Sequence, residues 1–169
     1  MNNYEIEHKY LIAYPDEKLF EKLGAKKVVI TQTYLSAPKG ITARVRSSVI
    51  DGVVKYTHTI KQRINALKCI EDEKEVTEEE YKSLLKQVNP SLNPISKIRY
   101  KLPYDKHIFE IDVYPFWKNQ AVMEVEIASE GEEYEIPPVI QIIKEVTDDV
   151  RYKNFALASG NLPDENKEC

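Results

Sequence analysis

The chain has 169 residues, 42% hydrophobic and 31% charged, which suits one soluble folded domain and excludes wholesale disorder. Its 24 Lys and Arg stand against 28 Asp and Glu, a net charge of -4, so a broad basic footprint for duplex nucleic acid is excluded and any polyanion site must be local. No apolar run approaches the ~20 residues that span a bilayer, and the opening Met1-Asn2-Asn3-Tyr4-Glu5 lacks the basic and apolar regions of a secretion signal. Cys69 and Cys169 lie far apart in the sequence, so neither a disulfide framework nor a cysteine-built metal site is expected, and a reducing, cytoplasmic setting is.

No repeat or linker divides the chain, so residues 1–160 are expected to form one domain and 161–169 a polar, flexible tail. Period-two alternation predicts strands over Tyr4 to Ile12, Val29 to Leu35, Thr42 to Val49 and Val53 to Lys61, then over Lys68 to Val76, Ile95 to Leu102, His107 to Tyr114 and Ala121 to Ser129. Asp51-Gly52 is a hairpin signal between the third and fourth. A helix from Asp16 to Leu23 is closed by Gly24, and another from Glu78 to Val88 is opened by Thr77 and Glu80, which form a capping box. Pro138 starts a third predicted helix, with Val139, Ile142, Ile143 and Val146 on one stripe, and a fourth segment runs from Asp149 to Ala158. The class is α+β, mainly antiparallel β.

Sorting the strands by parity collects the charges on one face. Glu5, Glu7 and Lys9 share a side, as do Arg44 and Arg46, and Lys61 follows Thr57 and Thr59. Further along, Glu71, Glu73 and Glu75 share a side, then Lys97, Arg99 and Lys101, then Glu110 and Asp112, then Glu124 and Glu126. One reading is an antiparallel sheet with its charged face in water. Yet like charges two positions apart stand only about 7 Å from each other on that face, which is repulsive unless an opposite charge or ligand lies between them. In the second reading the sheet closes as an eight-stranded barrel with the charged face inside and the apolar face outside under the helices. Ionised groups buried there need water, metal and a charged ligand. Lys and Arg suit phosphate, and hard carboxylate oxygens suit Mg²⁺ or Mn²⁺.

The ordered motifs resemble the CYTH superfamily, the triphosphate tunnel metalloenzymes, over nearly the whole chain. They are Glu5-Ile6-Glu7-His8-Lys9, Gln32-Thr33-Tyr34-Leu35-Ser36, Arg44-Val45-Arg46, Thr59-Ile60-Lys61 and Ser96-Lys97-Ile98-Arg99-Tyr100. Glu110-Ile111-Asp112-Val113, Glu124-Val125-Glu126, Glu145-Val146-Thr147-Asp148 and Arg151-Tyr152-Lys153-Asn154 complete the set. The resemblance implies a closed eight-stranded tunnel in which Lys9, Arg44, Arg46, Lys61, Lys97 and Arg99 contact phosphate. It also implies that Glu5, Glu7, Asp112, Glu124 and Glu126, helped by Glu71 and Glu73, hold one or two Mg²⁺ or Mn²⁺ ions, with Tyr34 and Lys97 as an assisting catalytic pair. The chain departs from the family at Cys69, where an arginine is frequent, and in the turn Pro115 to Gln120; Lys68 has the wrong parity to substitute, and the parity of His8 puts it outside.

The expected activity is metal-dependent hydrolysis of a terminal phosphoanhydride, with inorganic triphosphate as the leading substrate, by similarity to small bacterial tripolyphosphatases. Thiamine or nucleoside triphosphatases, adenylyl cyclases on the same fold, and a non-catalytic polyphosphate binder are the alternatives. The expected partner is a small triphosphate, with neither nucleic acid nor membrane; a homodimer is compatible with the fold.

Overall fold

The computed structural model describes residues 4–163; the remainder of the polar tail expected over 161–169 lies outside the described residues. The strands are β1 (Tyr4–Ala13), β2 (Lys26–Leu35), β3 (Ile41–Ile50), β4 (Val53–Arg63), β5 (Lys68–Val76), β6 (Ile95–Tyr104), β7 (His107–Val113), β8 (Gln120–Ile127) and β9 (Ile142–Glu145). Helix α1 (Glu17–Lys22) follows β1, α2 (Glu78–Leu84) follows β5, and α3 (Asn154–Ala158) is the last element among the described residues. The sheet order is β5-β4-β3-β2-β6-β7-β8-β1-β9, all neighbours antiparallel, and pairing of β5 with β1 closes the barrel. Among the described residues no helix is long and apolar enough to cross a membrane.

The local signals act as the side chains require. Asp51 and Gly52 both take positive φ, 49° and 79°, the geometry of the tight hairpin that turns β3 into β4. The Asp16 carboxylate accepts from the Leu19 N–H at 3.2 Å to open α1, and the Thr77 hydroxyl accepts from the Glu80 N–H at 3.1 Å to open α2. Helix α2 is shorter than its sequence pattern: after Leu84 the chain tightens into a 3-10 turn, Leu85–Gln87.

Two expectations are corrected. No helix forms at Pro138. Pro137 and Pro138 instead make a turn closed by Ile140 N–H on the Pro137 carbonyl at 3.0 Å, and the apolar residues after it become the ninth strand, β9. A residue preceding proline disfavours helix, and β1 offers free backbone groups: its first half, residues 4–6, pairs with β5, while Tyr10, Leu11 and Ile12 on the same edge pair with β9. The last predicted helix also splits. A 3-10 turn, Val150–Tyr152, is separated from α3 by Lys153 in extended geometry.

The barrel is inside out. The outward apolar positions of β1, β6, β7 and β8, including Ile6, Tyr100, Phe109, Ile111, Met123 and Val125, form a buried cluster beneath Phe20 of α1 and a strap carrying Tyr134, Ile136 and Ile140. The inward positions are charged over most of the length and then turn apolar. Leu11, Tyr34, Ile95, Tyr114 and Val122 meet Trp117, Tyr152 and Leu157, so the closing segment stoppers one end of the lumen.

Candidate active site

Strand register brings the charged residues to one place. Lys9 lies across from Glu124, Glu7 from Glu126, Arg99 from Asp112, and Lys61 from Glu71, while Arg44 lies between Tyr34 and Thr59 and Arg46 between Gln32 and Thr57. Cross-strand partners share a face, so these side chains converge on one cavity of about 670 Å³. Eight Lys and Arg and seven Glu line it, which leaves little net positive charge for a polyanion unless something neutralises the carboxylates.

The bases divide into paired and unpaired groups. Lys9 Nζ is 3.1 Å from Glu124, and Lys61 Nζ is 3.0 Å from both Glu5 and Glu71. Arg99 forks onto Asp112 at 2.7 and 2.9 Å and donates to Glu110 at 3.1 Å. Arg44, Arg46 and Lys153 have no carboxylate partner among the described residues. Buried Nε of Arg44 lacks any hydrogen-bond acceptor, and Arg46 donates only to the neutral Gln32 carbonyl, at 3.2 and 2.9 Å. Burial, then Arg44 and Arg99, lower the Arg46 pKa to about 9; burial, then Lys9 and Arg63, lower Lys153 to about 8. Cations crowded together in this way lack an anion.

The carboxylates lack a cation in the complementary sense. Glu7 faces the charges of both Glu124 and Glu5. Burial, then the charges of Glu124 and Glu5, push its pKa well above the usual carboxylate range, and burial with Glu5 and Glu110 raises Glu126. Hard oxygen donors that repel one another around a buried position fit Mg²⁺ or Mn²⁺. Among the described residues no three His, Cys, Asp or Glu side chains are already gathered as a metal site; in this arrangement Glu5 and Glu124 are drawn to Lys61 and Lys9.

The sequence-derived residues do not all reach the lumen. Glu5, Glu7, Lys9, Tyr34, Arg44, Arg46, Lys61, Glu71, Glu73, Arg99, Glu124 and Glu126 line it; Lys97 and Asp112 lie behind its wall. The Lys97 ammonium, with no exposed side-chain surface, donates to Asp112 at 2.7 Å and to Asn154 at 3.3 Å. Burial works against the Asp112 charge, but Arg99 and then Lys97 outweigh it and hold its pKa at about 2. Two bases thus serve one acid, and burial, with Arg99 and Arg46 adding to it against Asp112, brings Lys97 down to about 7. Tyr34 accepts from Gln32 Nε2 at 3.4 Å, and its ring meets Phe155 edge-on. Glu73 accepts from the Thr59 hydroxyl at 2.8 Å.

Sequence reasoning left Arg63, Lys101, Glu110, Lys153 and Asn154 without a role, yet all five line the cavity. Arg63, Lys101 and Glu110 continue the inward parity of Lys61, Arg99 and Asp112, so alternation contains their signal. Lys153 and Asn154 come from the non-periodic closing segment, where only spatial proximity identifies them. Cys69 is buried in the cavity wall, and burial, then Glu5, raise its thiol pKa. His8 is outside, bonded to Glu145 at 2.9 Å, and Lys68 sits over the Tyr4 ring.

No family model matches the chain. It is 33% identical over 159 residues to an inorganic triphosphatase of Nitrosomonas europaea, a match that covers 91% of this chain and 96% of that one. A solved inorganic triphosphatase superposes with a TM-score of 0.56 at 29% identity, over 94% of this chain and 97% of that one. The fold alone is shared with a Hippeastrum adenylyl cyclase candidate with a dominant triphosphatase activity, at 16% identity and a TM-score of 0.55 over 74% of this chain and 80% of that one. Identity of 33% across nearly the whole length, carried on a closed barrel whose charged face turns inward, makes the chain a member of the CYTH superfamily of triphosphate tunnel metalloenzymes.

Proposed function

We propose that this protein is a divalent-cation-dependent triphosphatase that hydrolyses inorganic triphosphate to pyrophosphate and phosphate. The observation that carries the reading is the group of carboxylate-free cations, Arg44, Arg46 and Lys153, facing the carboxylates Glu5, Glu7, Glu124 and Glu126 across one cavity. Cations that face a cavity without a counter-charge favour an anion there, and a flexible chain of phosphates supplies several negative oxygens. Likeness to an inorganic triphosphatase over 91% of the chain supports the substrate class.

In this reading Arg44 and Arg46 clamp the phosphate chain from β3, and Lys153 closes on it from the end segment. Lys9, Lys61 and Arg99 meet it from the other walls, while Lys97 and Asp112 fix Arg99 from behind rather than touching substrate. Glu5, Glu7, Glu124 and Glu126 would hold Mg²⁺ or Mn²⁺, with Glu71 and Glu73 at the rim. When bound, the cation supplies neutralisation of phosphate-oxygen charge and lowers the pKa of water. The clamping bases hold the terminal phosphorus for in-line attack and stabilise the pyrophosphate that leaves, and no covalent intermediate with the chain is required. The Tyr34 hydroxyl, at the junction of charged lumen and apolar stopper, orients the phosphate nearest the closed end.

The test is phosphate release by purified protein from triphosphate, ATP and thiamine triphosphate, each in Mg²⁺, in Mn²⁺ and with chelator, with a chromatogram of the ATP reaction for cyclic AMP. Rapid chelator-sensitive release from triphosphate, with ATP and thiamine triphosphate slower, is expected. Preferential turnover of an organic triphosphate would move the substrate assignment, and triphosphate binding without turnover of any of the three would make the protein a binding module.

A further inference from the structure

Asn154 stands where the closing segment meets the lumen, and its amide has one orientation. A lysine ammonium only donates, so the atom that faces Lys97 Nζ at 3.3 Å is the carbonyl oxygen Oδ1. The Tyr114 hydroxyl donates to the same oxygen. With Oδ1 committed twice, Nδ2 and its two hydrogens lie on the other side of the amide. They have no partner among the described residues, although the residue is only 9% exposed. Asn154 lines the cavity and Lys97 does not. The neighbouring Lys153 also faces the cavity as a cation without a carboxylate.

We propose that Asn154 is a further substrate-binding residue, whose Nδ2 donates to a phosphate oxygen of the triphosphate while its Oδ1 is held by Lys97 and Tyr114. The inference rests on the triphosphatase reading above and adds a neutral donor to its cationic clamp. It also gives the walled-off Lys97 a route to the substrate: a positive charge on Oδ1 polarises the amide and strengthens the N–H groups that face the lumen.

The experiment compares wild type, Asn154→Asp and Asn154→Ala by calorimetric titration with inorganic triphosphate in chelator, by steady-state phosphate release in Mg²⁺, and by melting temperature. Asn154→Asp keeps an oxygen for Lys97 and Tyr114 but turns the lumen-facing donor into an anionic acceptor. It is expected to melt near wild type and lose at least about 100-fold in triphosphate affinity, while Asn154→Ala loses about 10- to 100-fold, the range of one hydrogen bond to a charged group. Wild-type affinity and kcat/KM in Asn154→Asp overturn the proposal. Should that variant fail to fold, wild-type affinity in Asn154→Ala overturns it. The two readings fail separately: a wild-type protein that binds triphosphate without releasing phosphate ends the triphosphatase reading, yet the affinity comparison still judges the amide. A wild-type protein that neither binds triphosphate in chelator nor binds or turns it over with Mg²⁺ ends both.

Discussion

Two basic residues of the lumen, on β3 and β6 with β2 between them, play opposite parts. Arg44 touches no carboxylate among the described residues, so its charge is a cost to the folded protein that a bound anion offsets. Arg99 is locked by Asp112 and Glu110 at distances of 2.7 to 3.1 Å, so its charge belongs to the framework. Replacement therefore separates binding from stability. Arg44→Ala is expected to leave the melting temperature unchanged or raised and to cut triphosphate affinity at least tenfold, as calorimetry would show. Asp112→Asn leaves Arg99 and Lys97 sharing a neutral partner inside the protein and is expected to cost about 3–5 kcal/mol in urea unfolding. The Asp112 pKa, about 2 against an ordinary 3.8, is depressed. Its stabilisation is thus present in full above the unfolded value and drains away as pH falls from about 4 towards about 2. The stability gap between wild type and Asp112→Asn should be narrower at pH 3 than at pH 7 and should close only towards about pH 2; a constant gap would contradict the assignment.

At the scale of elements, alternation made the strands and their charged face legible, because a period of two assigns each side chain to one side of a sheet. It therefore put Arg44, Arg46, Glu124 and Glu126 on the face that lines the cavity, and it contained Arg63, Lys101 and Glu110 for the same reason. It could not show depth along the barrel axis: Lys97 and Arg99 have equal parity, but Lys97 lies nearer the apolar stopper and is walled off. The stretch after Pro138 was misread because Val139, Ile142, Ile143 and Val146 suit a helical stripe as well as a strand, and the free edge of β1 that decides between them is a tertiary feature. Elements away from the lumen should affect stability alone. Thr77→Ala removes the cap of α2 and is expected to cost about 1 kcal/mol without changing turnover. Leu157→Ala opens a void in the stopper beside Tyr34 and Trp117 and should cost about 2–5 kcal/mol. It should also slow turnover, because α3 carries Asn154 and follows directly on Lys153; full turnover in a Leu157→Ala protein that melts normally would show that the closing segment plays no part in the site.

The whole molecule is a barrel turned inside out, with two apolar clusters, one around its outer face and one across its end, stabilising a lumen that is electrostatically unfavourable when considered alone. Near-balance of acids and bases in that lumen explains why a net charge of -4 is compatible with a polyanion substrate: a divalent cation on the carboxylates frees the bases. Metal and triphosphate should accordingly stabilise together, with about 2.7 kcal/mol gained when a ligand stands at 100 times its Kd. The most direct measurement is anomalous diffraction from crystals grown with Mn²⁺ and inorganic triphosphate. The expected result is a manganese peak among Glu5, Glu7, Glu124 and Glu126, with the phosphate chain lying against Arg44, Arg46 and Lys153. Triphosphate found only on the outer surface, or manganese only at the exposed Asp148 and its half-buried neighbour Asp149, would contradict the account.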